Sequence, residues 1–215
     1  MYVPKHFEES RVDVLHQLIK ANPFGTLVGL TSGGLVANHI PFEIENVPAP
    51  FGMLQGHIAR ANTFWQECSP ETEVLVIFQG PDAYISPGWY PAKKEHGKVV
   101  PTWNYAVVHA YGRVRFINDS RWLRTFVEKL TNRHESGRVA PWKITDAPPD
   151  YLDKQLSAIV GLEIPITRLV GKSKLGQNRP AEDQAGMVKG LLEQGGASGA
   201  DLAKLISERQ DERTG

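Results

Sequence analysis

The feature that most constrains the fold is a two-residue alternation running from Trp103 to Ile117. Tyr105, Val107, His109, Tyr111, Arg113 and Arg115 share one parity, and Ala106, Val108, Ala110, Gly112, Val114 and Phe116 share the other. That period belongs to an extended strand. Its second face is mostly small, which suits close packing inside a barrel. Glu73–Phe78 (EVLVIF) is almost continuously apolar and is expected to be buried on both faces. Gly25–Leu30 and Leu35–Glu45 are strand-like runs joined by Thr31-Ser32-Gly33-Gly34, a hairpin signal. In the second run Val36, Asn38, Ile40, Phe42 and Ile44 share a face, with His39 and Glu43 opposite, while Pro41 marks an edge or a bulge. Gly52–Ala59 is a short strand, and Ala158–Val170 is expected to be the last strand of the barrel.

Helical signals fall between these runs. Ser10–Lys20 carries an apolar stripe of Val12, Leu15, Leu18 and Ile19. A helix is expected from Arg60 to about Glu67, another capped by Asp119 and running to about Asn132, and a short one from Tyr151. No aromatic residue follows Tyr151, and Ala181–Gln194 and Ala200–Arg209 read as polar helices. Clustered strands with helices at intervals predict a mainly β fold with added helices, an α+β barrel. The expected division is a barrel domain over 1–170 and a mainly helical extension over 171–215.

Lys plus Arg and Asp plus Glu each number 24, so no global charge draws the chain to nucleic acid. A single cysteine, Cys68, cannot form an internal disulfide and suits a reducing compartment. The opening MYVPKHFEES does not read as a signal peptide, and no run approaches the roughly 20 apolar residues of a membrane span. The expected location is cytoplasmic, without a membrane partner. Dinucleotide, P-loop, HExxH, CxxC and GxSxG signatures are absent.

The stretch Phe78–Gly112 holds seven of the nineteen aromatics together with Lys93, Lys94 and Lys98. Aromatics and cations among turn-formers suit a grip on a flat, anionic small molecule. Just upstream, in QGHIARAN, a strand ending near His57 meets the expected helix start at Arg60 and Asn62, an anion site or simply a capped helix. In VPTWNY, Trp103 can cover a ring while the Asn104 amide both donates and accepts, or the motif closes the barrel as an aromatic corner. His109 reads as an acid–base group or a structural histidine, and GKSKLGQNRP (171–180) as an anion loop or a surface turn.

Taken in order, HIPF (39–42), GHIARAN (56–62), GPDAYISPGWY (80–90), VPTWNYAVVHAYG (100–112), AIVGLEI (158–164) and KLGQN (174–178) resemble the PaiB family over nearly the whole chain. The resemblance implies an FMN-binding split β-barrel of the pyridoxamine-phosphate-oxidase type, assembled as a homodimer with flavin at the interface. It implies phosphate contacts from His57, Arg60 and Asn62, and ring contacts from Trp103 and Asn104, with His39 as a further candidate. It also implies negative transcriptional regulation, hence DNA as a partner. The alternatives are a flavin-dependent oxidoreductase and, behind it, a haem-handling protein with His109 as ligand. The family pattern has proline where this chain has Thr63 and serine where it has Gly176.

Overall fold

The computed structural model describes residues 1–214, with side chains through residue 211. In order, its elements are β1 (Glu8–Glu9), α1 (Val12–Ala21), β2 (Phe24–Thr31), β3 (Gly34–Pro41), β4 (Glu43–Glu45), β5 (Met53–Ala59) and α2 (Phe64–Glu67). There follow β6 (Val74–Ile85), α3 (Ala92–Glu95), β7 (Thr102–Gly112), β8 (Arg115–Ile117), α4 (Ser120–Glu135), α5 (Pro149–Ser157), β9 (Ile159–Pro165), β10 (Arg168–Lys174), α6 (Ala181–Gln194) and α7 (Ala197–Thr214). They form a six-stranded sheet of order β1-β10-β7-β6-β2-β3 and a four-stranded sheet of order β4-β5-β9-β8.

The chain divides into two compact units, one of Asn22–Phe78 with His109–Leu169, the other of Met1–Ala21, Gln79–Val108 and the segment from Val170 onward. In the first, β2 and β3 pair from Phe24↔Pro41 to Thr31↔Gly34. Thr31 Oγ1 accepts from the Gly33 N–H at 3.3 Å and donates to the Gly34 carbonyl at 3.1 Å, locking the short loop that the TSGG signal predicted. The run expected as one strand over Leu35–Glu45 is instead divided. Pro41 offers no N–H to a ladder, and the next amide, Phe42, donates to the Pro23 carbonyl at 2.8 Å. The chain thereby leaves β3, an edge strand, for β4 in the second sheet. Glu43, expected opposite the buried face, is itself 5% exposed and pairs with Arg133 at 2.9 Å.

The long alternating strand is divided in the same way. β7 stops at Gly112, and β8 pairs with β9 in the second sheet, Arg115↔Glu163 to Ile117↔Gly161. β6 is buried on alternate residues rather than on both faces. Asp119 caps α4 as predicted, its carboxylate accepting from the Trp122 N–H at 2.7 Å. The run Ala158–Val170 is two strands, β9 and β10, because Pro165 interrupts the ladder and β10 continues through Lys174.

In the second unit, α6 and α7 carry aliphatic stripes that a polar composition hides. Met187, Leu191, Leu202, Ala203 and Ile206 are buried in one cluster with Ile85, Tyr90 and Leu175. Polar ties reinforce it: Asp183, 2% exposed, accepts from the Ala92 N–H at 3.2 Å, and Ser198 Oγ accepts from the Asp82 N–H and donates to the Asp82 carbonyl. Trp89 lies flat against Gly190, where an added Cβ would come within 2.3 Å of the indole.

Candidate flavin site

His57 sits on β5 opposite Gly161 of β9. The absent side chain at Gly161 admits the Trp122 ring, which a Cβ would approach to 2.3 Å. Trp122 stacks on Phe126 with centroids 5.2 Å apart, and Phe126 meets the His57 ring edge-on at 5.8 Å. His57 Nδ1 is buried and has no hydrogen-bond partner. Burial holds the imidazole below its ordinary 6.5. A neutral ring is a poor counter-charge for phosphate but a serviceable hydrogen-bonding group.

Glu163 organises the floor beside it. Its carboxylate accepts from Gln55 Nε2 at 3.0 Å and Trp122 Nε1 at 3.1 Å, and it pairs with Arg115 at 3.4 Å. No sequence signal singled it out, because its three partners come from three different elements.

The helix expected from Arg60 is not formed there. Arg60, Ala61 and Thr63 lie in turns, and in this stretch only Phe64–Glu67 is helical. The Asn62 side chain explains part of this: Oδ1 accepts from the Phe64 N–H at 3.0 Å and Nδ2 donates to Asn38 Oδ1 at 2.6 Å. A single helical turn offers no N-terminal anion site of the kind inferred. Arg60 is instead a clasp. Its guanidinium donates from Nε to the Ser157 carbonyl at 2.7 Å, from Nη1 to Asn118 Oδ1 at 2.9 Å and from Nη2 to the Ile159 carbonyl at 2.9 Å. Two of its five N–H groups stay uncommitted. Arg60 also lines a cleft of about 640 Å³ together with Ser120, Arg121, Arg124 and Asp153. His39, exposed on β3, stacks on Phe24 at 6.4 Å, and the neighbouring Asn38 Nδ2 is buried without a partner.

Trp103 and Asn104 belong to the second unit. As adjacent strand residues they point to opposite faces of β7, and their exposure agrees: Trp103 is 55% exposed, Asn104 only 1%. Trp103 packs edge-on to Tyr84 at 6.3 Å. Asn104 Nδ2 donates to Met187 Sδ at 3.6 Å, a sulfur that also accepts from the Tyr90 hydroxyl at 3.7 Å. Asn104 Oδ1 is buried with no partner. Met187 comes from a helix with no chemical motif, so no signal could have marked it. Thus the structure joins Asn62 to Asn38, and neither β7 side chain shares a face with the other.

His109 is half-buried, with the Tyr111 hydroxyl 3.5 Å from Nδ1 and the Arg168 guanidinium 3.5 Å above the Tyr111 ring. Burial first, and then the positive charges of the N-terminus and of Arg168, lower its pKa. A neighbouring cation makes it a poor cation-binding group. Among the described residues no cluster of His, Cys, Asp and Glu suits a metal ion, and no helix is long and apolar enough to cross a membrane.

As a test of fit to a flavin, the buried Asn104 amide carries a spare acceptor for an imide N–H, and its donor is spent only on a sulfur. Arginine-lined space beside Arg60 suits an anion. Taken separately, the Asn104 amide fits the imide edge of a flavin and the cleft beside Arg60 fits an anion.

Comparison with known proteins agrees. The flavocytochrome Anf3 from Azotobacter vinelandii matches with a TM-score of 0.60 at 14% identity, covering 86% of this chain and 78% of its own. The FAD and heme binding protein from Mycobacterium smegmatis gives 0.58 at 17% identity, covering 88% and 80%. The fold is thus that of the flavin-binding split barrels. A family described as "Putative FMN-binding domain" matches residues 1–168. The protease synthase and sporulation protein PAI 2 of Bacillus subtilis is 30% identical, covering 97% of this chain and 98% of that one. An uncharacterized protein of Emericella nidulans is 34% identical over 97% of each. The chain belongs to the PaiB family of FMN-binding split-barrel proteins.

Proposed function

We propose that the protein is an FMN-binding negative transcriptional regulator of the PaiB type, working as a homodimer in the cytoplasm. The observation that carries the flavin half is the buried, unpartnered Asn104 Oδ1, an acceptor awaiting a donor within a chain of an FMN-binding family. Asn104 would hold the pyrimidine edge, and Trp103, on the opposite face of β7, would contact the ring of the flavin from the other subunit of the homodimer. Arg60, with His57 and Asn62 near it on the chain, would supply the phosphate side through its two uncommitted N–H groups. When bound, the flavin supplies reversible redox chemistry, and the protein's own groups bind and orient it. The single buried Cys68, its thiol pushed up by burial, goes with a reducing compartment. The regulatory half is supported by the relative whose name records sporulation and protease synthesis.

Freshly purified protein is expected to be yellow, with flavin absorption bands; colourless protein that takes up no added FMN would refute the reading. Arg60→Ala is expected to weaken FMN about tenfold or more, as loss of a charge-assisted phosphate contact does. Fluorescence titration measures it, and unchanged affinity moves the phosphate elsewhere.

A second reading, a flavin-dependent oxidoreductase, is favoured by the state of the basic residues. Arg115 pairs with Glu163, Arg133 with Glu43 and Arg138 with Glu135, so they are not a free cationic face for DNA phosphates. Mobility shifts against excess random competitor decide for regulation. Flavin reduction by NAD(P)H without any shift at low salt decides for the enzyme.

A further inference from the structure

We propose that Lys172 and Lys174 form a binding site for a phosphate dianion, distinct from the Arg60 cleft. Both residues belong to β10 and, two positions apart, project from the same face. Lys172 is 9% exposed, and its ammonium donates to the Tyr2 carbonyl at 3.2 Å. It lies 5.3 Å from the Tyr105 ring centroid and 5.8 Å from that of Tyr2. Lys174 donates to Thr102 Oγ1 at 2.5 Å.

Neither ammonium has a carboxylate within ion-pair distance among the described residues, whereas Lys129, Lys189 and Lys204 each do. Glu8 faces Lys172 in the β1–β10 register, yet it is exposed and makes no ion pair with it. Lysine is almost never this buried without a counter-charge, because water solvates an ammonium far better than a protein interior does. Here the compensation within the chain is one carbonyl, one hydroxyl and the faces of two tyrosine rings. Each ammonium retains two of its three donors. Burial, together with the Lys172 charge and against an opposing pull from Tyr105, holds Lys174 below its ordinary 10.5. Two cations that disfavour each other in a half-buried site are the arrangement that a doubly charged anion relieves. A phosphate dianion matches the charge and supplies acceptors enough for the four remaining N–H groups.

The phosphate has two sources, the 5′-phosphate of FMN or a separate phosphomonoester, and the site's own binding is measurable apart from either. Calorimetric titration of the full-length, flavin-free protein with inorganic phosphate, at constant ionic strength, is expected to show saturable binding. Lys174→Met and Lys172→Met are each expected to weaken it at least tenfold. Lys174 is the less buried, so Lys174→Gln carries the test if the Lys172 variant fails to fold by circular dichroism. Repeating the titration with FMN present separates the sources: phosphate excluded by FMN but not by riboflavin identifies the flavin's own phosphate, and phosphate that still binds identifies a second ligand. No saturable phosphate binding at millimolar concentration, or binding unchanged in the folded lysine variants, overturns the proposal. Failure of the protein to bind FMN while phosphate still binds would remove the flavin reading and leave this one standing.

Discussion

His57 is a residue whose place in the chain is legible in the sequence and whose surroundings are not. Its position in GHIARAN suggested a phosphate contact, but Phe126 and the Trp122 ring beyond it surround a neutral imidazole with aromatic surface. The pH consequence follows by linkage. The folded pKa lies below 6.5 because of burial, so the unfolded chain binds more protons as the pH drops beneath that value. Stability is full above about pH 6.5 and declines as the pH falls toward the folded pKa. His109 shifts the same way and adds to the slope. Urea midpoints taken between pH 7.5 and 5.5 are expected to fall in the wild type and to fall less in His57→Asn. An equal fall in both would show that His57 is not the group responsible. Arg60 carries the complementary lesson: its charge was legible, whereas its three internal acceptors come from Asn118, Ser157 and Ile159, remote in sequence.

At the level of elements, local chemistry and burial contribute separately. The Asp119 cap was readable from the residue before an amphipathic run, and the structure places its carboxylate on the Trp122 amide. Asp119→Ala is expected to cost about 1 kcal/mol of stability, measured by chemical denaturation, as capping losses do. The close contact between α6 and Trp89 had no such signal, since Gly190 sits in a helix of polar composition about a hundred residues along the chain from Trp89. Gly190→Ala would push a methyl into the indole and is expected to destabilise by about 1–3 kcal/mol, as overpacking does. A gain in stability there, the usual result of Gly→Ala on an open helix face, would mean that Trp89 moves away at little cost. The strands teach the same point from the other side. Alternation identified Trp103–Ile117 and Leu35–Glu45 as extended, but period two does not say where a strand leaves one sheet for another.

For the molecule as a whole, the outer face of the β2–β3 hairpin is the surface to explain. Phe24, Leu30 and Leu35 share that face and are 66%, 44% and 78% exposed. Isolated apolar residues are ordinary on a surface, but Leu30 directly opposite Leu35 at one end of an edge hairpin, with Phe24 at the other end of the same face, suits burial by a second copy. Leu35→Asp is expected to convert a dimer to a monomer in light scattering at micromolar concentration, with the far-ultraviolet circular dichroism unchanged. A wild type that is monomeric at all concentrations would remove the homodimer from the proposed function.

By itself the sequence determined the kinds of element, their order, the hairpin at TSGG, the cap at Asp119 and membership of a flavin-binding family. These rest on side-chain period, on turn chemistry and on short motifs, all of which act between near neighbours. Only the tertiary structure decided what each candidate residue touches. It turned Arg60 into a clasp, set Asn104 against Met187, sent Trp103 to the opposite face and left Lys172 buried with no carboxylate partner among the described residues. Hydrogen bonding and desolvation depend on groups brought together from distant parts of the chain, and no local pattern encodes which ones meet.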